Sequence, residues 1–226
     1  MTGFKSEAVS SQGTELAVQG AAGTPVTATI TAITAASPAK ISAVNTFQNG
    51  DIVSIDAVVG MVEINGLSGV VGNATGADFD LVGVDSSAFT PYTSGGEAAS
   101  SGAGFENCCE ARNFTGFDGQ ASEIDVTTMC STAMEFRPGL QDFGAFNFTM
   151  NYVPTDPAQK IMQQAKSTGA ILWWKLMLPN DNEGNPLGTW LFQAFVRQMT
   201  LSGGVNAALE SNVVLRITGE PTFVEG

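Results

Sequence analysis

The chain has no histidine, which removes Ser-His-Asp and Cys-His catalysis and the usual histidine-containing zinc sites. What remains is acidic: 22 Asp and Glu stand against nine Lys and Arg, a net charge of −13. Acid–base chemistry would then need a carboxylate pair, or nucleophilic chemistry a Ser-Lys pair. Glu123 and Asp125 are the nearest carboxylates to a pair. Two residues apart on a strand, they point to one face and read as an acidic wall. Cys108, Cys109 and Cys130 are odd in number and lack a second Cys pair, so neither a disulfide framework nor a metal site is expected. The expectation is a non-enzyme with reduced thiols, no cofactor and no metal.

The chemistry left is that of contact, and it concentrates at residues 119–152. Residues 123–128 alternate acid or hydroxyl with Ile124 and Val126. Residues 145–152 alternate Phe146, Phe148, Met150 and Tyr152 with small or polar residues. Period-two alternation predicts two strands, each with one wet and one packed face. Residues 129–144 between them read as a long loop carrying Glu135, Phe136, Arg137, Pro138, Asp142 and Phe143. Loops of this length are functional or disordered. An exposed loop gains nothing from two large aromatics unless they bury against a partner, so these six residues are candidate inter-subunit contacts. The competing reading of the charges is a solvated loop.

This stretch resembles the major tail tube protein of long-tailed (siphovirus-type) bacteriophages. The matching residues are Ser122, Glu123, Ile124, Asp125, Val126, Thr127 and Thr128, then Ala133, Glu135 and Phe136, then Pro138, Gly139 and Leu140. Asp142, Gly144 and residues 146–152 continue the match. The resemblance implies a mainly β fold, a sandwich or barrel with one packed α-helix. It also implies a virion protein that assembles with copies of itself into stacked hexameric rings, the loop reaching a neighbouring ring. The implied partners are a tape-measure protein, tail tip and terminator proteins, and genomic DNA passing without specific binding. Glu123 and Asp125 are then candidates for an acidic lumen wall.

The charge agrees with that role. Nucleic-acid-binding surfaces cluster Lys and Arg, and no such cluster occurs here. An acidic wall repels DNA within about 8 Å at physiological salt. No apolar run of about 18 residues occurs and the N-terminus has no apolar signal region, so no membrane association is expected.

Taken in order, residues 1–23 are polar and Gly-rich, with Ser11 to Leu16 as a short strand or arm, or else a mobile terminus. Residues 24–100 carry short alternating runs between turn signals such as Asn49-Gly50-Asp51, Asn65-Gly66 and Asp85-Ser86-Ser87. They predict a small all-β module. They also resemble the small β module of the ubiquitin-activating-enzyme type that recurs in phage structural proteins. That match runs through Asn49, Gly50, Asp51, Val53, Ile55, Val59, Gly60, Met61, Ile64, Asn65 and Gly66. It continues through Phe79, Leu81, Gly83, Val84, Asp85, Ser86, Phe89, Tyr92, Gly95 and Gly96. The expected organisation is a tail tube domain of residues 1–23 and 101–226, with 24–100 inserted on its exterior. The Gly- and Ser-rich stretch at 94–104 reads as a flexible linker. An alternative role for the module is binding of surface glycans on a host, which would call for aromatic platforms; it has only Phe47, Phe79, Phe89 and Tyr92.

Cys108 to Arg112 reads as a short strand. Beyond Tyr152 the period changes. Asp156 can cap a helix with Pro157 at its first position and Gln159 three residues after the cap, and Gly169 can end it. Ala158, Ile161, Met162 and Ala165 make one apolar face. Residues 170–178, apolar apart from Lys175, read as a strand buried on both faces. A polar turn at 179–186, a long strand at 189–201 and a last strand at 212–218 with a short acidic tail complete the expectation.

Overall fold

The structure is a computed structural model that describes residues 10–21, 23–100, 102–181, 184 and 187–225. It is mainly β, and among the described residues Pro157–Thr168 (α1) is the one α-helix. The strands fall in two compact units, each described by itself.

The first unit comprises Met1–Asn107, Trp174–Leu191 and Thr222–Gly226. It begins with β1 (Glu15–Gln19), a little beyond the strand or arm expected at 11–16; residues 1–9 lie outside the described residues. Next come β2 (Val26–Ile33), β3 (Ala39–Ala43), β4 (Ile52–Val59), β5 (Ser68–Gly72), β6 (Asp78–Val82) and β7 (Ser94–Ser100). These six close into a barrel in the order β2-β3-β6-β5-β4-β7, so this module leaves no open edge. Inside it Ile30, Ile41, Val53, Ile55, Met61, Ile64 and Leu81 pack with Phe47 and Phe79, whose rings meet edge to face at 5.4 Å. Fully buried Ser86 donates to the Thr34 carbonyl at 2.8 Å and accepts from the Ala36 amide at 3.1 Å.

The linker expected at 94–104 is corrected by the structure. Its first seven residues are β7, which pairs with both β2 and β4 and closes the barrel. The glycines serve close approach rather than flexibility. Gly96 has φ +105°, and a Cβ there would lie 2.6 Å from Val58 Cγ2. Residues 102–104 lie outside any strand before β8 (Phe105–Asn107). Chain entry and exit lie side by side, the Gly20 amide donating to the Gly104 carbonyl at 2.8 Å. The expected strand at 108–112 is also corrected. β8 stops at Asn107, Cys108 begins a turn closed by the Ala111 amide on the Cys108 carbonyl, and of the expected strand only Ala111 and Arg112 are extended, opening a separate strand at Ala111–Gly116.

β1 pairs antiparallel with β8 on one side and with β13 (Ile171–Met177) on the other. Full burial was expected of β13; Trp174 and Leu176 are buried, but Lys175 and Met177 are half-buried and Ile171 is exposed. Lys175 Nζ lies 5.6 Å from the centroid of the Phe105 ring. Burial pushes its pKa down, against the opposing pull of Asp51.

The second unit comprises Cys108–Trp173 and Phe192–Pro221. Its strands are β9 (Ala111–Gly116), β10 (Gln120–Asp125), β11 (Phe136–Asp142), β12 (Ala145–Asn151), and most of β14 (Thr189–Ser202) and β15 (Glu210–Val224). β14, β15, β12 and β9 are successive neighbours, and β12 is antiparallel to both β15 and β9. The alternation read in β12 holds: Phe146, Phe148 and Met150 are buried. Phe146 packs against Phe192 at 5.2 Å and stacks on Phe114 at 5.7 Å. β15 runs further than the expected 212–218, taking in the supposed tail and burying Val224.

The helix follows its local signals. The Gln159 amide donates to Asp156 Oδ1 at 2.9 Å, Pro157 opens the first turn and Gly169 ends it at φ +71°. Ala158, Met162 and Ala165 are buried, whereas Ile161 is only half-buried. Gln159 does not complete a capping box. Its buried amide accepts from Val153 N at 3.0 Å and donates to the Asn151 carbonyl at 2.9 Å, tying the helix start to the end of β12.

Candidate assembly surface

Residues 120–142 form a two-stranded hairpin of β10 and β11 that pairs with no other strand among the described residues. The long loop expected at 129–144 is therefore shorter: 136–142 is strand, and the irregular tip is 126–135. Opposed pairs are Glu123 with Pro138, Ile124 with Arg137, and Asp125 with Phe136. Cross-strand partners share a face. Glu123 and Asp125 thus lie together, as their spacing predicted, but beside Pro138 and Phe136 rather than in a uniform wall of acid. Ile124 and Arg137 face the other way.

Both faces of the hairpin are wet in the lone chain. Leu140 is 90% exposed, Phe136 50% and Ile124 51%, and at the tip Met129 and Met134 stand in solvent. Polar bonds hold the tip in shape. The Thr127 hydroxyl foremost, and then the Thr127 amide, which donates to Asp125 Oδ1 at 2.9 Å, keep the Asp125 carboxyl below its ordinary pKa. The Val126 amide donates to the Glu135 carbonyl at 2.9 Å and the Glu135 amide to Thr127 Oγ1 at 3.0 Å. Thr128 and Ser131 bond each other across the turn that carries exposed Cys130.

The base of the hairpin is pinned. The Asp142 carboxylate accepts from the Gly144 amide at 2.9 Å and pairs with the Arg216 guanidinium of the same chain. These two, the amide foremost, hold its pKa below the usual carboxylate range. Asp118 Oδ1 accepts from the Ala145 amide at 2.8 Å. Gly144 has φ +74°, and a Cβ there would lie against Asp118 Oδ1, so glycine is required.

Of the six candidate contact residues, Glu135, Phe136, Arg137 and Pro138 stand exposed on the hairpin. Asp142 is engaged within its own chain, and Phe143 is half-buried beyond the end of β11. Sequence reasoning missed Asp118 and Arg216, whose partners are distant along the chain. It also missed a second projecting end where β14 turns into β15: Leu201, Val205 and Leu209 are all exposed there. Ser202-Gly203-Gly204 signalled the turn but not the apolar residues around it.

Among the described residues no group of three Cys, Asp or Glu could hold a metal ion. No helix among them is long and apolar enough to cross a membrane. Cys108 is buried, which pushes its thiol pKa up to about 12; Cys109 and Cys130 are exposed.

Comparison with known proteins matches residues 98–225 to the family model described as phage tail tube, TTP, lambda-like. The chain is 22% identical over 129 residues to Structural protein 3 of Pseudomonas phage PAJU2, covering 50% of this chain and 78% of that one. Among solved structures, the virion of a native gene transfer agent particle aligns over 53% of this chain and 88% of its own at 15% identity, with a TM-score of 0.44. The SPP1 tail tube aligns over 52% of this chain and 66% of its own at 17% identity, with a TM-score of 0.43.

Proposed function

The chain belongs to the lambda-like phage tail tube family, a structural protein of the virion tail, and from that premise we propose that its copies join side by side into rings of six that stack into the tube. The exposed β10–β11 hairpin carries this reading. An isolated two-stranded hairpin is marginal in water, and this one presents apolar side chains on both faces. A neighbouring copy that covers Phe136, Leu140, Met129 and Met134 removes that exposure. Glu135, Arg137 and Pro138 are contact residues around it. Asp142 acts by holding the hairpin base, with Phe143 packed beyond it. Pairing between copies would also close the free edges that β8 and β9 keep at the ends of their strand runs.

The role is mechanical, with no catalytic step. The tube encloses a tape-measure protein, meets tip and terminator proteins at its ends, and passes genomic DNA without binding it. Glu123 and Asp125 supply negative charge for that passage if their face lines the bore. Residues 24–100 are a module inserted into the tube domain of 1–23 and 101–226, and they sit outside, where a closed barrel does not narrow the bore. No observation favours glycan binding by this module. Phe47 and Phe79 are buried, and the Tyr92 hydroxyl is engaged with the Ile30 and Gly95 carbonyls.

Electron microscopy of the purified chain tests the reading. Rings or tubes are expected. Replacing 126–135 by a two-residue Asn-Gly turn is expected to leave a folded chain that no longer stacks. A wild-type chain that stays a compact monomer at high concentration, or a shortened hairpin that assembles as well as wild type, would overturn it.

A further inference from the structure

Within the second unit a cleft of about 180 Å³ lies between α1 and the outer part of β14, lined by Tyr152, Gln163, Lys166, Met199, Thr200 and Leu201. We propose that this cleft seats the hairpin tip, residues 126–135, of a second copy of the chain. The proposal rests on the tube reading above and names the surface that receives the hairpin.

Three observations carry it. The first is size. At about 30 Å³ per water the cleft holds roughly six waters, the space of one large side chain. The tip offers Met129 and Met134, flexible apolar side chains left in solvent by their own copy. The second is charge. In a chain of net charge −13, α1 carries no acid and brings Lys166 to the cleft. Lys166 donates to the Met199 carbonyl at 3.1 Å and has no carboxylate partner among the described residues. The tip is bracketed by Asp125 and Glu135, both exposed. The third is an unmet polar group. Ser211 also lines the cleft, and its buried hydroxyl has no hydrogen-bond partner among the described residues. A seated chain segment with free carbonyls supplies one.

Each copy then gives one tip and receives one. Such a heterologous contact is self-propagating, closing into a ring or continuing along a stack.

Native Cys130 on the tip makes the test direct. In a chain carrying Cys109→Ser and Thr200→Cys, a short thiol–thiol crosslinker is applied to assembled tubes and to unassembled chain. Thr200 is exposed. The expected result is links between different copies in tubes, none in the unassembled chain and none when Lys160→Cys replaces Thr200→Cys. Lys166→Cys provides a second position in the cleft, and a link through either position supports the proposal. Tubes visible by microscopy with no link at either position would overturn it and leave the tube reading standing. Absence of tubes in the same preparation counts against the tube reading itself.

Discussion

Leu140→Ser should separate folding from assembly. Leu140 is 90% exposed, so the lone chain gains almost nothing from it. Its replacement should move the unfolding free energy by no more than about 0.5 kcal/mol, as for other surface substitutions. On the proposed assembly a neighbouring copy buries the same side chain, and full burial of a leucine is worth about 1.5–3 kcal/mol. Taking about 2 kcal/mol, and one tenfold step per 1.4 kcal/mol, the concentration needed for assembly should rise about 30-fold. Urea unfolding of the unassembled chain gives the first quantity. Sedimentation of assembled from free chain across a dilution series gives the second. An unchanged assembly threshold with unchanged stability would refute the claim that this face of the hairpin is covered by another copy. A large loss of stability would refute the exposure on which the calculation stands.

Two other perturbations probe the hairpin base and the barrel. The Asp142 carboxyl has a pKa lowered by the Gly144 amide and Arg216, so its contribution is present above the unfolded value of about 3.9 and is lost as pH falls through the lower folded value. Protection of the Gly144 amide against exchange, taken relative to the intrinsic rate at each pH, should therefore fall only below about pH 4, and Asp142→Asn should remove that dependence; protection that is flat with pH in the wild type would refute the pairing. Deleting 24–100 and rejoining the chain ends that meet near Gly20 and Gly104 should leave a tube of the same bore, measured by electron microscopy. Failure to assemble, with the shortened chain still folded, would make the barrel part of the tube wall.

Some elements were legible because their causes are local. The helix followed from Asp156, Pro157 and Gly169, each acting on backbone groups within a turn of itself. The packed face of β12 followed from period two, since Phe146, Phe148 and Met150 are neighbours on one side of the pleat. The barrel strands β2, β4, β5 and β6 followed in the same way; β3 was not read from the sequence, and neither was β7. There the composition Ser-Gly-Gly-Glu-Ala-Ala-Ser suggested a linker, because nothing local reveals that Val58 leaves no room for a side chain at position 96.

By itself the sequence determined that His-dependent catalysis is absent, that the surface is acidic, that strands dominate with one capped helix, and that residues around 122–152 carry the tail tube pattern. Only the tertiary structure decided that residues 136–142 pair back on β10, that Asp142 is engaged with Arg216 of its own chain, and that Leu140 and Met129 face water. The physical reason is range. Caps and periodicity are written in neighbours three or four residues apart. Whether a side chain is covered, and what a charge meets, depends on residues such as 142 and 216 that only folding brings together.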